Sequence, residues 1–478
     1  MVPPSAAFTT QVLEWLPPAG SLRRVGLASP WAVLLESSLR QPGYGERDIL
    51  FLDPVAQLVV PGGADRLAVS ALGGPPQEIA GNPFDAIETL LRDARAGACK
   101  PGWFLTPPVF AGYISYEAGR FAECMPPARA EGPNLPDVYL VCPATIVVAD
   151  TVSGTTTVST LRRGGFDAES LLRDGPPENQ RPGALPECLE RRPGEVQSSL
   201  DARGYMAAVE RTIDYIRRGD IFQANIARHL FIDRAPDPAL VYDRLARLSP
   251  APYSAWIDLG SGNAVLSSSM ELFLRLRGRS VTTRPIKGTV GRGATPEEDE
   301  ALRSSLSESV KDHAELTMII DVERNDIGRV CLPGTVCVPD LYRLETFAHV
   351  HHLVATVRGH LRPEAGLGAL LKAVLPGGSI TGAPKVRAME IIGELEPMRR
   401  SVYTGAIGWC DAAGDAEFNV AIRTIMMESS GRAYFPAGCG IVADSVPRKE
   451  YEETLHKARG MALALGIQWS GEVARSGI

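Results

Sequence analysis

The chain has 478 residues, enough for roughly three domains or two large ones, and 49 Lys and Arg against 56 Asp and Glu leave a net charge of −7. That acidic balance gives no counterion-release drive towards DNA or RNA. A hydrophobic share of 45% with 22% charged residues excludes wholesale disorder.

Eight cysteines are spread without a C-x-x-C, which argues against a disulfide scaffold or a zinc cage and suits a reducing compartment. The first twenty residues carry no basic start and no apolar centre, so no signal peptide is expected. No apolar run is long enough for a bilayer. The expectation is a cytoplasmic protein with neither nucleic acid nor membrane among its partners.

In chain order, residues 1–165 mix short β-like runs, such as DVYLVCPATIVVAD and TTTVSTL, with the helix-like DAIETLLRDARAG. Residues 166–200 are rich in Pro, Gly and charge and read as a linker or surface excursion. From 201 to 470 helices such as YMAAVERTIDYIRRG alternate with strands and hairpins. Strands and helices do not alternate regularly, and no Walker A loop, G-x-S-x-G or G-x-G-x-x-G stands in its required setting. The fold class expected is α+β, with a large two-sheet, mainly antiparallel core and flanking helices.

The segment MELFLRLR at 270–277 alternates and is followed by a turn and by VTTRPIKGT. A three-residue loop would pair Arg277 with Val281 and, counting outward, Glu271 with Lys287. Opposed residues share a face, so a carboxylate would stand beside an amine. A two-residue turn would separate them. Spacing alone favours a surface ion pair, but Gly288-Thr289 leaves room for a ligand. Pro285 donates no ladder hydrogen bond and marks an edge or a bulge.

KDHAELTMIIDVERNDIG reads as a helix through its first half, with Asp312 and Glu315 three apart on one face. KEYEETLHKARGMALAL is a second helix with Glu450, Glu453 and Lys457 on one side. Carboxylates without matching His or Cys ligands suit a hard cation, Mg²⁺ above all. Each pair alone fits a solvated helix face, and spacing does not say that the helices meet.

PGGSITGAPK at 376–385 fits an anion cradle or a tight turn. FNVAIRTIMM is strand-like and carries Arg423, which could clasp a carboxylate; GCGIVADS adds another glycine turn. His349, His351 and His352 lie in a strand whose alternation parts His351 from His352, so no metal trio is expected.

Together these segments resemble the chorismate-utilising enzymes: anthranilate synthase component I, aminodeoxychorismate synthase component I, isochorismate synthase and salicylate synthase. The resemblance runs from about residue 203 to 467 through RRGDIFQANIARH, PIKGT, KDHAELTMIIDVERNDIGRVC, HVHHLVATVRG, PGGSITGAPKVRAMEII, YTGAIGW, FNVAIRT and GCGIVADSVPRKEYEETLHKA. AVLLESS and GYISYEAGR extend it towards the N-terminus. It implies a chorismate substrate, Mg²⁺ on Glu315 and Glu453 with Asp312 and Glu450 in support, and a general acid/base at Glu271. It also implies substrate contacts at Tyr403, Arg423, Gly440 and Lys457, with Ser379, Gly382 and His352 at other pocket positions.

Aminodeoxychorismate synthases of this family carry lysine at the third position of PIKGT, where anthranilate synthases usually carry alanine. Lys287 therefore favours the former, as the nucleophile that adds to ring carbon 2 before ammonia enters at carbon 4. Such an amine must lose its proton, and a permanent pair with Glu271 would oppose that. No Gly-x-Cys-x-Gly glutaminase turn is present, so ammonia is expected from a separate glutamine amidotransferase subunit. The other readings are anthranilate synthase component I and an inactive tryptophan-binding subunit. LLES resembles the family's tryptophan site, which places Glu36 and Ser37 there. The departures are Met270 for the usual proline of Ser-Pro-Glu, Gly291 where proline often follows PIKGT, and Cys439 in a GAG turn.

Overall fold

The computed structural model describes residues 3–4, 7–40, 43–71, 74–95, 104–161, 172, 193–346 and 350–469. Most of the expected 166–200 excursion, and His349, lie outside these residues. Its end, Gln197–Ser198, is a short strand paired with Leu230–Phe231.

Strand Val33–Glu36 is the fold line of a 21-stranded sheet. One edge of it pairs with Arg47–Val60, which leads on through Val138–Asp150 and Val109–Ile114 to Ala406–Asp411. The other pairs with Tyr253–Gly260, which leads through Asn263–Ser269 to Thr424–Met427. Phe51, Tyr113, Tyr139 and Trp409 of the first arm share one buried cluster with Ile257, Val265 and Met426 of the second. The two expected sheets are thus two facing layers, hydrogen-bonded into one at their common strand.

The apolar run DVYLVCPATIVVAD follows from burial on both faces. Val138, Leu140 and Cys142 enter one cluster while Tyr139 and Val141 enter the other, in step with the period of two. Fully burying each such aliphatic side chain is worth about 1.5–3 kcal/mol. Helices cover the outer faces; Ala202–Arg217 begins at Asp201, whose carboxylate accepts from Gly204 N at 2.7 Å. Among the described residues no helix is long and apolar enough to cross a membrane.

A separate three-stranded sheet places Gln223–Arg228 between Gly382–Ala383 and Ala437–Ile441. GCGI is therefore strand, and the turn comes after it, where Ser445 N donates to Val442 O. FNVAIRTIMM, expected as one strand, breaks at 421–423, and Arg423 takes a left-handed φ of 52°.

The hairpin after Met270 departs from its expected register. Arg277 pairs with Ser280, so the loop is Gly278-Arg279 alone, with Gly278 at φ 57°. Positive φ is what a tight two-residue hairpin demands, and glycine supplies it. A bulge between Leu272 and Arg275 then shifts the ladder, leaving Leu272 opposite Arg284. Glu271 and Lys287 are not cross-strand partners. Pro285 does mark a break, between Ser280–Arg284 and Ile286–Gly291.

The helix expected only in the first half of 311–328 runs from Val310 to Gly328. Its polar second half is held by partners that periodicity does not show. Thr283 Oγ1 donates to the buried Glu323 at 2.7 Å, and Lys385 pairs with the buried Asp326.

Candidate active site

The elements that depart from the expected pattern converge on one cavity of about 680 Å³. The three-stranded sheet and the Gly378–Ile380 turn form its floor, and the hairpin end, the Val310–Gly328 helix and the Pro447–Ala464 helix form its walls. Lys287, Glu271, Tyr403, Arg423, Lys457, Gly440, His352 and Ser379 line it. Asp312, Glu315, Glu450 and Glu453 line it as well, so the two acidic helices do meet. Gly382 alone of the expected set is not part of the lining. It stands behind the floor, paired with Ala224, at φ 150°, and a Cβ there would lie 2.1 Å from Gln223 O.

Lys287 Nζ lies 2.9 Å from Glu315 Oε1 and donates to Ser379 O at 3.3 Å. The amine therefore pairs with a carboxylate of the helix, whereas the sequence register paired it with Glu271. Glu271 is 5% exposed, and burial raises its carboxyl above the ordinary range. The Ser379 side chain, the Lys287 charge and the Ile286 N–H oppose that rise. Gly288, at φ 72°, lets the neighbouring helix close in: a Cβ there would stand 3.0 Å from Asp312 Cγ.

Across the cavity Lys457 Nζ pairs with Glu453 Oε1 at 2.6 Å and donates to Gly438 O at 3.0 Å. Burial pushes Glu453 up, but Lys457 and Lys311 outweigh it, and its carboxyl lies below the ordinary value. Glu450 moves the other way through burial, and its Oε1 accepts from Ser445 Oγ at 2.8 Å. A carboxylate oxygen each from Glu450 and Glu453 and the Cys439 thiol lie within 4.8 Å of one another. Burial pushes that thiol up to about 12.

Arg423 is tethered through Nη1 to Lys457 O at 2.9 Å, and burial lowers its pKa. His352 Nδ1 and Thr289 Oγ1 are 2.8 Å apart, and burial, with Arg423 nearby, lowers the imidazole to about 4. It is neutral at physiological pH. His351 points away, to Thr346 Oγ1 and Asp299, as alternation required. Burial pushes the Tyr403 phenol up to about 12.

Several polar residues escaped the sequence reading. Asn225, Lys311, Lys449, Glu452 and His456 line the cavity, and Gln223 Nε2 donates to Glu315 Oε1 at 3.1 Å. The signal for Gln223 and Asn225 was present: two buried polar residues spaced by two within the fully buried strand QANIAR. Gly440 follows from them, since a Cβ there would lie 2.3 Å from Gln223 Nε2.

Glu36 and Ser37 lie elsewhere. Glu36 lines a second cavity of about 320 Å³ with Tyr253, Arg275, Arg277 and Trp409, and Ser37 is outside its lining. Arg23 Nε and the Tyr242 hydroxyl donate to Glu36 Oε1 at 2.7 and 2.9 Å. Ser37 Oγ donates to Leu39 O at 2.7 Å.

A cavity lined by carboxylates interleaved with ammonium and guanidinium groups suits a small polyanion together with a hard cation. The family model for chorismate binding enzymes matches residues 43–463. The chain is 38% identical over 408 residues to anthranilate synthase component 1 of Cereibacter sphaeroides, covering 81% of this chain and 79% of that one. It is 36% identical over 450 residues to aminodeoxychorismate synthase component 1 of Klebsiella aerogenes, covering 93% and 96%. The crystal structure of anthranilate synthase component I from Streptococcus pneumoniae superimposes with a TM-score of 0.74 at 30% identity, covering 88% of this chain and 93% of that one. The menaquinone-specific isochorismate synthase of Escherichia coli shares the fold at a TM-score of 0.70 and 17% identity, covering 97% and 95%. The chain belongs to the chorismate binding enzyme family.

Proposed function

We propose that this protein is an aminodeoxychorismate synthase component I, which aminates chorismate at carbon 4 to give 4-amino-4-deoxychorismate for 4-aminobenzoate and folate synthesis. The observation that carries the reading is the primary amine of Lys287 inside the cavity, with the buried Glu271 in the same wall. Lys287 adds to ring carbon 2 as the carbon 4 hydroxyl leaves; ammonia then adds at carbon 4 and the lysine departs. Glu271, whose carboxyl burial raises, protonates the leaving hydroxyl and takes a proton back.

Mg²⁺ fits the donor set. Asp312, Glu315, Glu450 and Glu453 are hard oxygen ligands on one cavity, and two of them already hold cationic ammonium groups. The ion, when bound, offsets the charge of a substrate carboxylate. Arg423 and Tyr403 take the other carboxylate by charge-assisted hydrogen bonds. Ammonia comes from a glutamine amidotransferase partner, in the cytoplasm. The aromatic and arginine lining of the second cavity suits tryptophan beside Glu36, and equilibrium dialysis with tryptophan tests it.

Product identity tests the reading. With chorismate, ammonium and Mg²⁺, the expected product yields 4-aminobenzoate only after a lyase is added. Fluorescent anthranilate appearing directly would make the chain an anthranilate synthase component I. Tryptophan binding with no turnover of chorismate would make it an inactive subunit.

A further inference from the structure

Two of the four carboxylates assigned to the metal, Glu315 and Glu453, are paired with lysines, and the proposed reaction needs one of these, Lys287, elsewhere. Lys287 holds Glu315, and Lys457 holds Glu453. The two pairs differ in what else supports them. Lys457 is anchored by Gly438 O at 3.0 Å and belongs to the same helix as Glu453, four residues on. Lys287 reaches Glu315 from another element, and its second acceptor, Ser379 O, lies at 3.3 Å. Glu315 has a second anchor of its own, the neutral amide of Gln223, at 3.1 Å.

A Mg²⁺ ion held by a Glu315 oxygen would stand beside the Lys287 ammonium with like charge. Gln223 can remain on the carboxylate because it carries no charge; Lys287 cannot remain on the same terms. We propose that metal binding at Glu315 expels Lys287 from its ion pair, so that the lysine turns to the ring of the substrate only in a metal-loaded cavity. Gln223 then keeps Glu315 in place during the exchange. The proposal rests on the reading of Glu315 as a metal ligand, but not on which product the enzyme makes.

By linkage, the metal weakens the Lys287–Glu315 pair by the factor by which the pair weakens the metal. Two measurements on the intact chain, with Mg²⁺ alone and no chorismate, read the two sides. In the first, Mg²⁺ is titrated calorimetrically into the wild type and Lys287→Met. The variant is expected to bind about fivefold more tightly or better, the lower end of typical coupling between two sites. In the second, wild-type protein is treated with an amine-acylating reagent and modification is quantified lysine by lysine. Acylation of Lys287 is expected to rise about fivefold or more with Mg²⁺, with a midpoint at the calorimetric Kd. Lys372, which pairs with Asp85 outside the cavity, is expected to stay constant as the internal standard.

Mg²⁺ that binds without raising Lys287 acylation overturns the exchange while leaving the metal assignment intact. No heat of Mg²⁺ binding overturns the metal assignment itself and the exchange with it. The acylation result needs no variant, so a failure of Lys287→Met to fold does not remove the test.

Discussion

Two ion pairs, one buried and one half-buried, stand on opposite sides of the cavity wall, and they are built to opposite specifications. Behind the wall, Arg400 is 1% exposed and every arm of its guanidinium is engaged. Its Nη2 and Nε donate to the two oxygens of Glu396 at 2.6 and 2.9 Å, and its other donors reach Ile380 O and Asn225 O at 2.9 and 2.6 Å. Ala227 N also donates to Glu396, at 2.8 Å. Ile380 and Asn225 line the cavity, so this closed network fixes the floor on which substrate would rest. In front of the wall, Lys287 and Glu315 meet through a single pair of atoms at 2.9 Å, facing open space. A fully satisfied buried network resists exchange, whereas a pair with few partners is the one a ligand can take apart. The first is architecture, and the second is available for chemistry.

Substitutions can break that contrast, and the largest effect is expected at the open pair. Lys287→Ala should leave the fold intact and cut aminodeoxychorismate formation by about a thousandfold or more in a lyase-coupled assay. Undiminished product would remove the nucleophile role. Next comes the closed pair. Arg400→Met leaves Glu396 buried without its cation, and the expected loss is about 3–5 kcal/mol in urea unfolding. Lys287→Met should leave the urea midpoint nearly unchanged, because Glu315 keeps Gln223 and faces the open cavity. Equal midpoint shifts in the two variants would erase the distinction.

Glu453→Ala sharpens it from the metal side. The expected result is a folded protein whose Mg²⁺-dependent turnover falls by about a hundredfold. Retained Mg²⁺-dependent activity would remove Glu453 from the ligand set. The smallest change is one of shape. Burial raises Glu271, so its protonated form persists to higher pH than an ordinary glutamate's, and activity that needs it as the acid on the leaving hydroxyl falls as pH rises through that raised value. In Glu271→Gln that limb of the pH–rate profile should vanish from the residual activity; an unchanged profile would count against the acid/base assignment.

The parts of this arrangement that were legible in the sequence are those governed by local geometry. Helical spacing put Asp312 beside Glu315 and Glu450 beside Glu453, and strand alternation parted His351 from His352. What was not legible depends on contacts across the chain or on a single residue of register. That the two acidic helices share a cavity is a tertiary fact. The expected Glu271–Lys287 pairing failed because Gly278 permits a two-residue turn and a bulge follows, although both residues still reach the cavity. The true partner of Lys287 lies on a helix 28 positions downstream, where no hairpin count could find it. The second half of the Val310–Gly328 helix was hidden for a related reason: Glu323 and Asp326 are buried by Thr283 and Lys385, not by an apolar stripe.

The central claim is that the Lys287 amine meets the ring of chorismate. The measurement that tests it most directly is a crystal structure with Mg²⁺ and chorismate, or an unreactive analogue of it. The account predicts Lys287 Nζ released from Glu315 and within about 3–3.5 Å of ring carbon 2. An amine still locked on Glu315, or turned out to bulk solvent with the ring bound elsewhere, would contradict it.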